Sequence, residues 1–318
     1  KGSVRAIEKG SVRTITEAVF AYKKSRIVFH TIAYSSWSAL EFRLRVQWNE
    51  ERVMLKLAVP TVFRPGTLIC EVPGGAIERP ADGEEHVFGR WALIEGEIKG
   101  KRTALAVACS GPHGLDFKAG ELRLSVLRSA AYCHERGFKL GKYPTRKYMD
   151  QGVHDVRFLV TAGDAQDVRS RITALADWLN SPPYALAHLP LGKFGRGEEQ
   201  GKKRGAEQPE EGSVEQEAQE KKQQNTSGLF IGFANRAGSV EVLSLSPSSI
   251  RLSACKRSLD GRALIVRLHE TSGRASTANL VFKIPAISMP LQFSPYEIKA
   301  VRLERSGAFR EVNLISET

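Results

Sequence analysis

The stretch Leu40-Glu41-Phe42-Arg43-Leu44-Arg45-Val46-Gln47-Trp48 decides the fold class. Every second residue in it is apolar, and charged or amide side chains fill the positions between. A period of two is typical of a β-strand that buries one face and exposes the other to solvent. We therefore predict a strand over 40–48 with its even-numbered side chains in a core.

Similar strand signals continue along most of the chain and are separated by turns rich in Gly and Pro. They cover 54–63, 105–109, 121–128 and 156–161, and they return at 265–269, 280–284 and 297–303. Strands that follow one another without intervening helices favour β-sandwiches over alternating β-α-β units. The predicted fold class is all-β.

One segment, 164–180, has a helical pattern instead. Its apolar residues Val168, Ile172 and Leu179 recur at helical spacing, Asp164 can cap the start, and prolines follow the end. We predict one amphipathic helix that packs on the β-structure.

The segment 192–227 differs in composition from the rest of the chain. It holds seven Lys or Arg, eight Glu and six Gln, with almost no large apolar side chains. Such a segment cannot bury enough surface to offset its ordering entropy. We therefore predict three parts: a large β-sandwich domain over 1–191, a disordered charged linker over 192–228, and a small β-sandwich domain over 229–318.

Composition excludes only a few classes of function. The net charge is +12, and no apolar run reaches the roughly 20 residues of a membrane helix, so no membrane partner is expected. The four cysteines form no C-x-x-C pair, and the seven histidines show no spacing that would place two metal ligands on one face. Buried, reduced thiols are the expected state of the cysteines. No local metal, phosphate-loop or catalytic motif is present.

Basic and aromatic residues alternate over 136–148, which leaves nucleic-acid binding as an alternative. Such a protein would bind in a strongly salt-dependent way. A solvated loop is the simpler interpretation, and a nucleic-acid partner is not our expectation.

Several strings, in order, resemble the C-terminal β half of the family 38 α-mannosidases. They are spread over most of the chain outside 192–227: RIVFHTIAYSSWSALEFRLRVQW (26–48), LKLAVP (55–60), CEVPGGAIERP (70–80), LRLSVLRS (122–129), DQGVH (150–154), RLHETSG (267–273) and PYEIKAVRL (295–303). The resemblance implies a galactose-mutarotase-like β-supersandwich, truncated at its N-terminus, followed by a small Ig-like β-sandwich.

The same resemblance implies that the catalytic residues lie outside this chain. Family members are zinc-dependent retaining enzymes, and their nucleophile, acid/base and zinc ligands belong to an N-terminal domain. No catalytic residue and no metal ligand is therefore assigned here; zinc is expected only in the full-length enzyme, and the chain alone is expected to be inactive. Its partners would be mannose-containing glycans and that catalytic domain.

Two residues are candidates for substrate binding. A family loop that reads Lys-Tyr-Gly-Tyr-Asp brings a Tyr toward the bound sugar, and the matching loop here places His113 at that Tyr and Asp116 at the final Asp. His113 carries an imidazole where the family loop carries a phenol, which weakens the inference that it contacts the sugar. A turn residue that is merely exposed is an equal alternative for His113.

The other matched motifs have structural interpretations. We expect Glu78-Arg79-Pro80 to hold a turn by an ion pair, Asp150, Gln151 and His154 to satisfy backbone groups, and Glu270 to pair with Arg267 or Arg274. A stand-alone carbohydrate-binding or structural β protein remains an alternative. Cytoplasmic and vacuolar or lysosomal locations both stay open, as does a homo-oligomer.

Overall fold

The computed structural model describes residues 3–130, 148–182, 243–283 and 286–317 of the chain. Its elements in chain order are β1 (Ser3–Lys9), β2 (Arg13–Tyr22), β3 (Ser25–Tyr34), β4 (Leu40–Trp48), β5 (Met54–Pro60), β6 (Thr67–Val72), β7 (Gly75–Arg79), β8 (His86–Val87), β9 (Trp91–Ile98), β10 (Lys101–Ser110), β11 (Gly114–Lys118), β12 (Glu121–Arg128), β13 (Gly152–Asp164), α1 (Ala165–Asn180), β14 (Leu243–Ser246), β15 (Ile250–Arg257), β16 (Ala263–Glu270), β17 (Ser276–Lys283), β18 (Ala286–Phe293), β19 (Ile298–Glu304) and β20 (Phe309–Val312). One helix among antiparallel strands confirms the all-β prediction for the described residues.

The first sandwich is built from a nine-stranded and a four-stranded sheet. The large sheet has the order β1-β2-β3-β4-β13-β10-β9-β6-β7, and the small one has the order β5-β12-β11-β8. Alternate side chains of β4, among them Leu44, Val46 and Trp48, share one buried core with Leu115, Phe117 and the apolar face of β12. The 40–48 and 121–128 patterns thus gave the correct strands because each strand buries one face.

The helix α1 covers the other face of the nine-stranded sheet. The Asp164 carboxylate accepts from the backbone N–H groups of Gln166 and Asp167, which caps the helix as predicted. Val168, Ile172 and Leu179 pack against the alanines and leucines of β9, β10 and β13 in a second apolar cluster. Within the described residues no helix has the length and hydropathy that a membrane span requires.

The buried face of β4 differs from the prediction at its first two residues. Leu40 is 41% exposed, whereas the side chain of Glu41 is fully buried. Glu41 lies directly opposite Leu159 on β13, and Leu159 belongs to the sheet face that α1 covers. The side chain of Glu41 is therefore buried, although the period of two predicts that it is exposed to solvent. Its carboxylate accepts from Tyr34 Oη at 2.7 Å and from Arg43 Nε at 2.7 Å. Burial raises the pKa of Glu41, but these hydrogen bonds hold it below its usual range.

The second sandwich packs a three-stranded sheet, β14-β17-β18, on a four-stranded sheet, β15-β16-β19-β20. Its core includes Val266, Leu268, Leu280, Met289 and Val301. The described residues of both sandwiches belong to one compact unit.

One carboxylate of α1 links the two sandwiches. Asp177 accepts from Arg90 Nη1 at 2.5 Å and from Arg251 Nη2 at 3.1 Å. Arg90 precedes β9 in the first sandwich, and Arg251 lies on β15 in the second. Arg90 also pairs with Glu71, which is the main reason that its pKa lies above the usual range.

The cysteines agree with the prediction of buried thiols at two of the three positions that the structure describes. Cys70 and Cys109 are buried and free, whereas Cys255 is free but exposed, so the prediction of burial is wrong there. Burial raises the pKa of both buried thiols to about 12. Cys133, the basic stretch up to residue 147 and the predicted linker 192–228 lie outside the described residues.

Candidate functional site

The predicted sugar-facing residue, His113, lies in the turn between β10 and β11. Its Nδ1 is 3.0 Å from the carbonyl oxygen of Gly89, and its own carbonyl accepts from the N–H of Phe88. Because a carbonyl only accepts, Nδ1 carries the proton, and in the neutral ring Nε2 is left as an acceptor. The side chain is exposed, and Nε2 has no partner among the described residues. The imidazole is thus held in one orientation with a free acceptor.

The second candidate, Asp116, lies on β11 with its side chain almost completely buried. Its carboxylate accepts from Lys56 Nζ at 2.5 Å and from Arg123 Nε at 2.6 Å. Arg123 lies directly opposite Asp116 in the β11–β12 register. Both carboxylate oxygens therefore have cationic partners, and no contact joins them to the His113 ring.

Lys56 extends this arrangement into a cluster of four charged side chains. Besides Asp116 it binds Glu85, which in turn accepts from the hydroxyl of Ser125. Burial lowers the pKa of Lys56, but its two carboxylate partners raise it above the usual range. For Glu85, burial raises the pKa, but Lys56 and Ser125 hold it below the usual range. With Arg123, the cluster has two cations and two anions, so its charges cancel.

Gly114 explains how this cluster can lie beside the His113 turn. A Cβ at this position would lie 2.6 Å from Glu85 Oε1 and 3.3 Å from the Cβ of Ser125. Only a residue without a side chain lets Glu85 approach β11 this closely. The cluster and the His113 turn therefore share one short segment of backbone.

Sequence reasoning missed the partners of Asp116. Lys56, Glu85 and Arg123 occur on separate strands or loops, and their meeting depends on the antiparallel register of β5, β12 and β11. The alternation along 121–128 does indicate that Arg123 and Ser125 share an outward face. It does not indicate which strand lies next to them.

The other motif residues are placed as follows. Gln151 Nε2 donates to the Glu50 carbonyl at 3.2 Å, and His154 Nε2 lies 2.8 Å from the Asp150 carbonyl, as expected for groups that satisfy backbone. Arg79 does not form the expected ion pair with Glu78 but donates to the Val87 carbonyl. In an antiparallel strand these two neighbours point to opposite faces, which prevents the pair.

Glu270 also differs from its expected pairing. Its buried carboxylate accepts from backbone N–H groups of Ser272, Gly273, Arg274 and Tyr296, and no guanidinium of the described residues reaches it. Burial raises its pKa, but these hydrogen bonds hold it below the usual range. Arg267 instead donates to the Leu314 carbonyl. Glu270 therefore organises a loop of the second sandwich.

The described residues offer no cluster of metal ligands. Over their ranges, no three His, Cys, Asp or Glu side chains gather as the ligands of an ion would. These residues therefore do not fit a zinc site.

Comparisons with known proteins identify a matching family model and similar folds. Residues 1–136 match the model of the glycosyl hydrolases family 38 C-terminal domain. The fold is similar to an α-mannosidase from Enterococcus faecalis V583 (TM-score 0.63, 12% identity, covering 95% of this chain and 35% of that one). It is also similar to a glycosyl hydrolase family 38 protein from Enterococcus faecalis (TM-score 0.64, 12% identity, 95% and 36%). The chain thus spans about a third of the length of either structure. No curated protein matches it.

Proposed function

We propose that this chain is the C-terminal β part of an α-mannosidase, because residues 1–136 match the model of the glycosyl hydrolases family 38 C-terminal domain. The complete enzyme would hydrolyse terminal, non-reducing α-D-mannose from oligomannose glycans. The observation that carries this proposal is the extent of the likeness, which includes 95% of this chain but only 35% of the α-mannosidase structure.

We assign the zinc-dependent retaining step of that enzyme to residues other than those described here. Retaining hydrolysis needs two reactive carboxyl groups about 5 Å apart. Asp116 and Glu85 both bind Lys56, and these ion pairs occupy their carboxylates. We therefore expect the isolated chain not to cleave an aryl α-mannoside.

For His113 we propose a direct contact with the sugar. Its Nε2 is an exposed acceptor, and the bond from Nδ1 to Gly89 fixes the direction in which that acceptor points. A sugar hydroxyl can donate to such a nitrogen without displacing any protein contact. This proposal does not need the phenol that the family loop carries at the equivalent position.

For Asp116 we propose a positioning part. Its carboxylate joins β11 to Lys56 on β5 and to Arg123 on β12, and the His113 turn leads directly into β11. Through these ion pairs Asp116 would fix the position of the His113 turn relative to β5 and β12. Direct contact between Asp116 and a substrate would require breaking at least one of them.

The size of the natural polypeptide tests the proposal. An antibody against the segment 150–180, used on native extract, should detect a polypeptide much heavier than the 35.1 kDa of this chain. A band at 35.1 kDa would reject the enzyme proposal and favour a stand-alone carbohydrate-binding or structural protein.

The role of His113 can be tested in the complete enzyme. We expect His113→Ala to lower kcat/KM by roughly two- to tenfold, as for the loss of one hydrogen bond. The matched control is His154→Ala, since His154 is a partly exposed histidine whose ring nitrogen also lies against a backbone carbonyl. Equal kcat/KM for the two variants would reject the sugar contact.

A further inference from the structure

A polar cavity of about 290 Å³ lies between the first turns of α1 and two loops of the second sandwich. One loop joins β14 to β15, and the other joins β16 to β17. Two arginines, Arg169 and Arg274, and five serines provide most of the lining. Among the described residues, no Asp or Glu lines it. The cavity is therefore rich in hydrogen-bond donors and carries positive charge.

Arg274 supplies a guanidinium that is not engaged elsewhere. Its side chain is exposed, and in the part of the chain that the structure describes no carboxylate or carbonyl accepts from it. Its backbone is held from both sides: the N–H donates to Glu270 at 3.2 Å, and the carbonyl accepts from the Ser276 hydroxyl at 3.2 Å. A fixed backbone thus presents a free guanidinium, a group that binds oxyanions through parallel N–H donors.

Arg169 adds a second positive charge that is only partly neutralised. Its Nε contacts the buried carboxylate of Glu95, and Arg102 binds the same carboxylate at 2.9 Å. One negative charge therefore faces two positive charges, and one positive charge is left over. The two Nη groups of Arg169 make no hydrogen bond with any described residue. Glu95 orients this guanidinium and leaves its outer N–H groups available.

Ser249 contributes a hydroxyl that is buried without a partner. The residue is 7% exposed, and its Oγ has no hydrogen-bond partner over the described ranges. This oxygen is not one of the fully enclosed polar atoms, so it reaches open space, and the cavity is the space that Ser249 lines. Its backbone carbonyl is already used by the N–H and the hydroxyl of Thr271. Because buried hydroxyls are nearly always hydrogen-bonded, this one calls for a partner in the cavity.

The N-terminal N–H groups of α1 are not part of this site. The Asp164 carboxylate already accepts from the N–H groups of Gln166 and Asp167. The carboxylates closest in sequence to the lining are also engaged: Asp167 pairs with Arg171 at 3.1 Å, and Glu270 accepts backbone N–H bonds. A ligand in the cavity would thus meet side-chain donors and a net positive charge.

We propose that this cavity binds a tetrahedral oxyanion, a phosphate group being the simplest example. Arg169 and Arg274 would each bind phosphate oxygens, and the Ser249 hydroxyl would donate to another. At roughly 30 Å³ per water molecule, the cavity has the volume of about ten waters. It therefore has room for a phosphomonoester as well as for free phosphate. The inference depends on the cavity alone and does not require the proposed mannosidase function.

The ³¹P linewidth of inorganic phosphate measures this binding on the intact chain. Added protein should broaden the line in a saturable manner, and the titration gives the Kd. We expect Arg274→Gln to weaken the Kd at least tenfold, because it removes a charge-assisted pair. The matched control is Arg305→Gln: Arg305 is also an exposed arginine of the second sandwich without a partner in the described ranges, and it lies outside the cavity. This control should change the Kd less than twofold.

Further ligands and one further variant test the shape of the site. Ser249→Ala should weaken the Kd severalfold, as expected for the loss of one hydrogen bond to a charged group. Sulfate should compete with phosphate, whereas chloride at equal ionic strength should not. Tighter binding of phenyl phosphate than of inorganic phosphate would assign the site to phosphomonoesters, and equal or weaker binding would assign it to free phosphate.

Three results would each overturn the proposal. They are an unbroadened phosphate line, equal weakening by Arg274→Gln and Arg305→Gln, and equal competition by chloride and sulfate. His113→Ala should leave the Kd for phosphate unchanged, so this inference and the proposed function fail separately.

Discussion

The charged cluster at Asp116 and the ring nitrogens of Trp91 and His269 show two ways in which polar groups are buried in one chain. At the cluster, two cations and two carboxylates neutralise each other, and both carboxylate oxygens of Asp116 have a partner. Trp91 Nε1 and His269 Nε2, by contrast, are buried and have no hydrogen-bond partner within the described residues. A satisfied network stabilises the fold, whereas each buried polar atom without a partner costs free energy. The contrast separates a polar network that stabilises the fold from polar groups whose burial the rest of the structure must offset.

We expect the largest loss of stability when the charged cluster at Asp116 is disrupted. Asp116→Ala would leave Lys56 and Arg123 without their shared carboxylate, and we expect the free energy of unfolding to fall by about 2–4 kcal/mol. Urea unfolding at pH 7 measures this. The matched control is Asp155→Ala, because Asp155 pairs with Arg45 at 3.7 Å on the surface and should contribute little. Similar losses of stability for both variants would show that the buried cluster contributes no more than a surface ion pair.

The next effect concerns Glu270, whose carboxylate holds the backbone of Tyr296. We expect Glu270→Gln to lower the free energy of unfolding by about 1–3 kcal/mol at pH 7, because the carboxylate accepts several backbone N–H bonds. The pKa of Glu270 is lowered in the folded state, so its contribution is present above the unfolded pKa and is lost as pH falls through the folded pKa. The difference between wild type and variant should therefore shrink in acid, below about pH 4. A difference that is constant from pH 7 to pH 3 would refute this.

Gly114 tests how tightly the cluster packs on β11. Gly114→Ala places a methyl group 2.6 Å from Glu85 Oε1, so we expect a loss of about 1–2 kcal/mol in urea unfolding. Removing the obstacle in the double variant Gly114→Ala/Glu85→Ala should make the two effects clearly less than additive. Gly10→Ala is the control, since its nearest neighbour is 3.5 Å away. If the losses of free energy from the two substitutions were strictly additive, the close approach of Glu85 to Gly114 would have no effect on stability.

The smallest effect is expected at the Tyr296 hydroxyl. Within the described residues this hydroxyl has no hydrogen-bond partner; the ring packs on Gly75, and both the ring edge and the hydroxyl oxygen lie against Gly273. Tyr296→Phe should change the free energy of unfolding by less than about 0.5 kcal/mol. A loss above 1 kcal/mol would mean that the hydroxyl, and not the ring, holds Tyr296 against Gly273.

Local pattern was enough to predict the elements that bury one face. The bounds of β4 and β12 follow from period two, and α1 follows from its apolar stripe and the Asp164 cap. The pattern was wrong at Leu40 and Glu41 because a distant helix covers the face that the strand alone would expose. Coverage of this kind depends on tertiary contacts that periodicity does not contain.

The residues around Asp116 were predictable to different degrees. His113 and Asp116 came from a family resemblance, and their roles in substrate binding stay predictions. The partners Lys56 and Glu85 could not be found, because strand register joins residues that are far apart in sequence. Packing of the two sandwiches, which brings Trp91 and His269 to the walls of one groove, was beyond prediction for the same reason.

The shared carboxylate of Asp177 has a consequence for how the chain unfolds. Of the two arginines on Asp177, only Arg251 belongs to the second sandwich, so detaching that sandwich leaves its guanidinium without this partner, whereas Arg90 keeps Glu71. A half-exposed pair contributes up to about 1 kcal/mol, which lowers the population of partly unfolded molecules by roughly a factor of five. Helix α1 thus contributes to the cooperativity of melting through a side chain that belongs to no β-sheet.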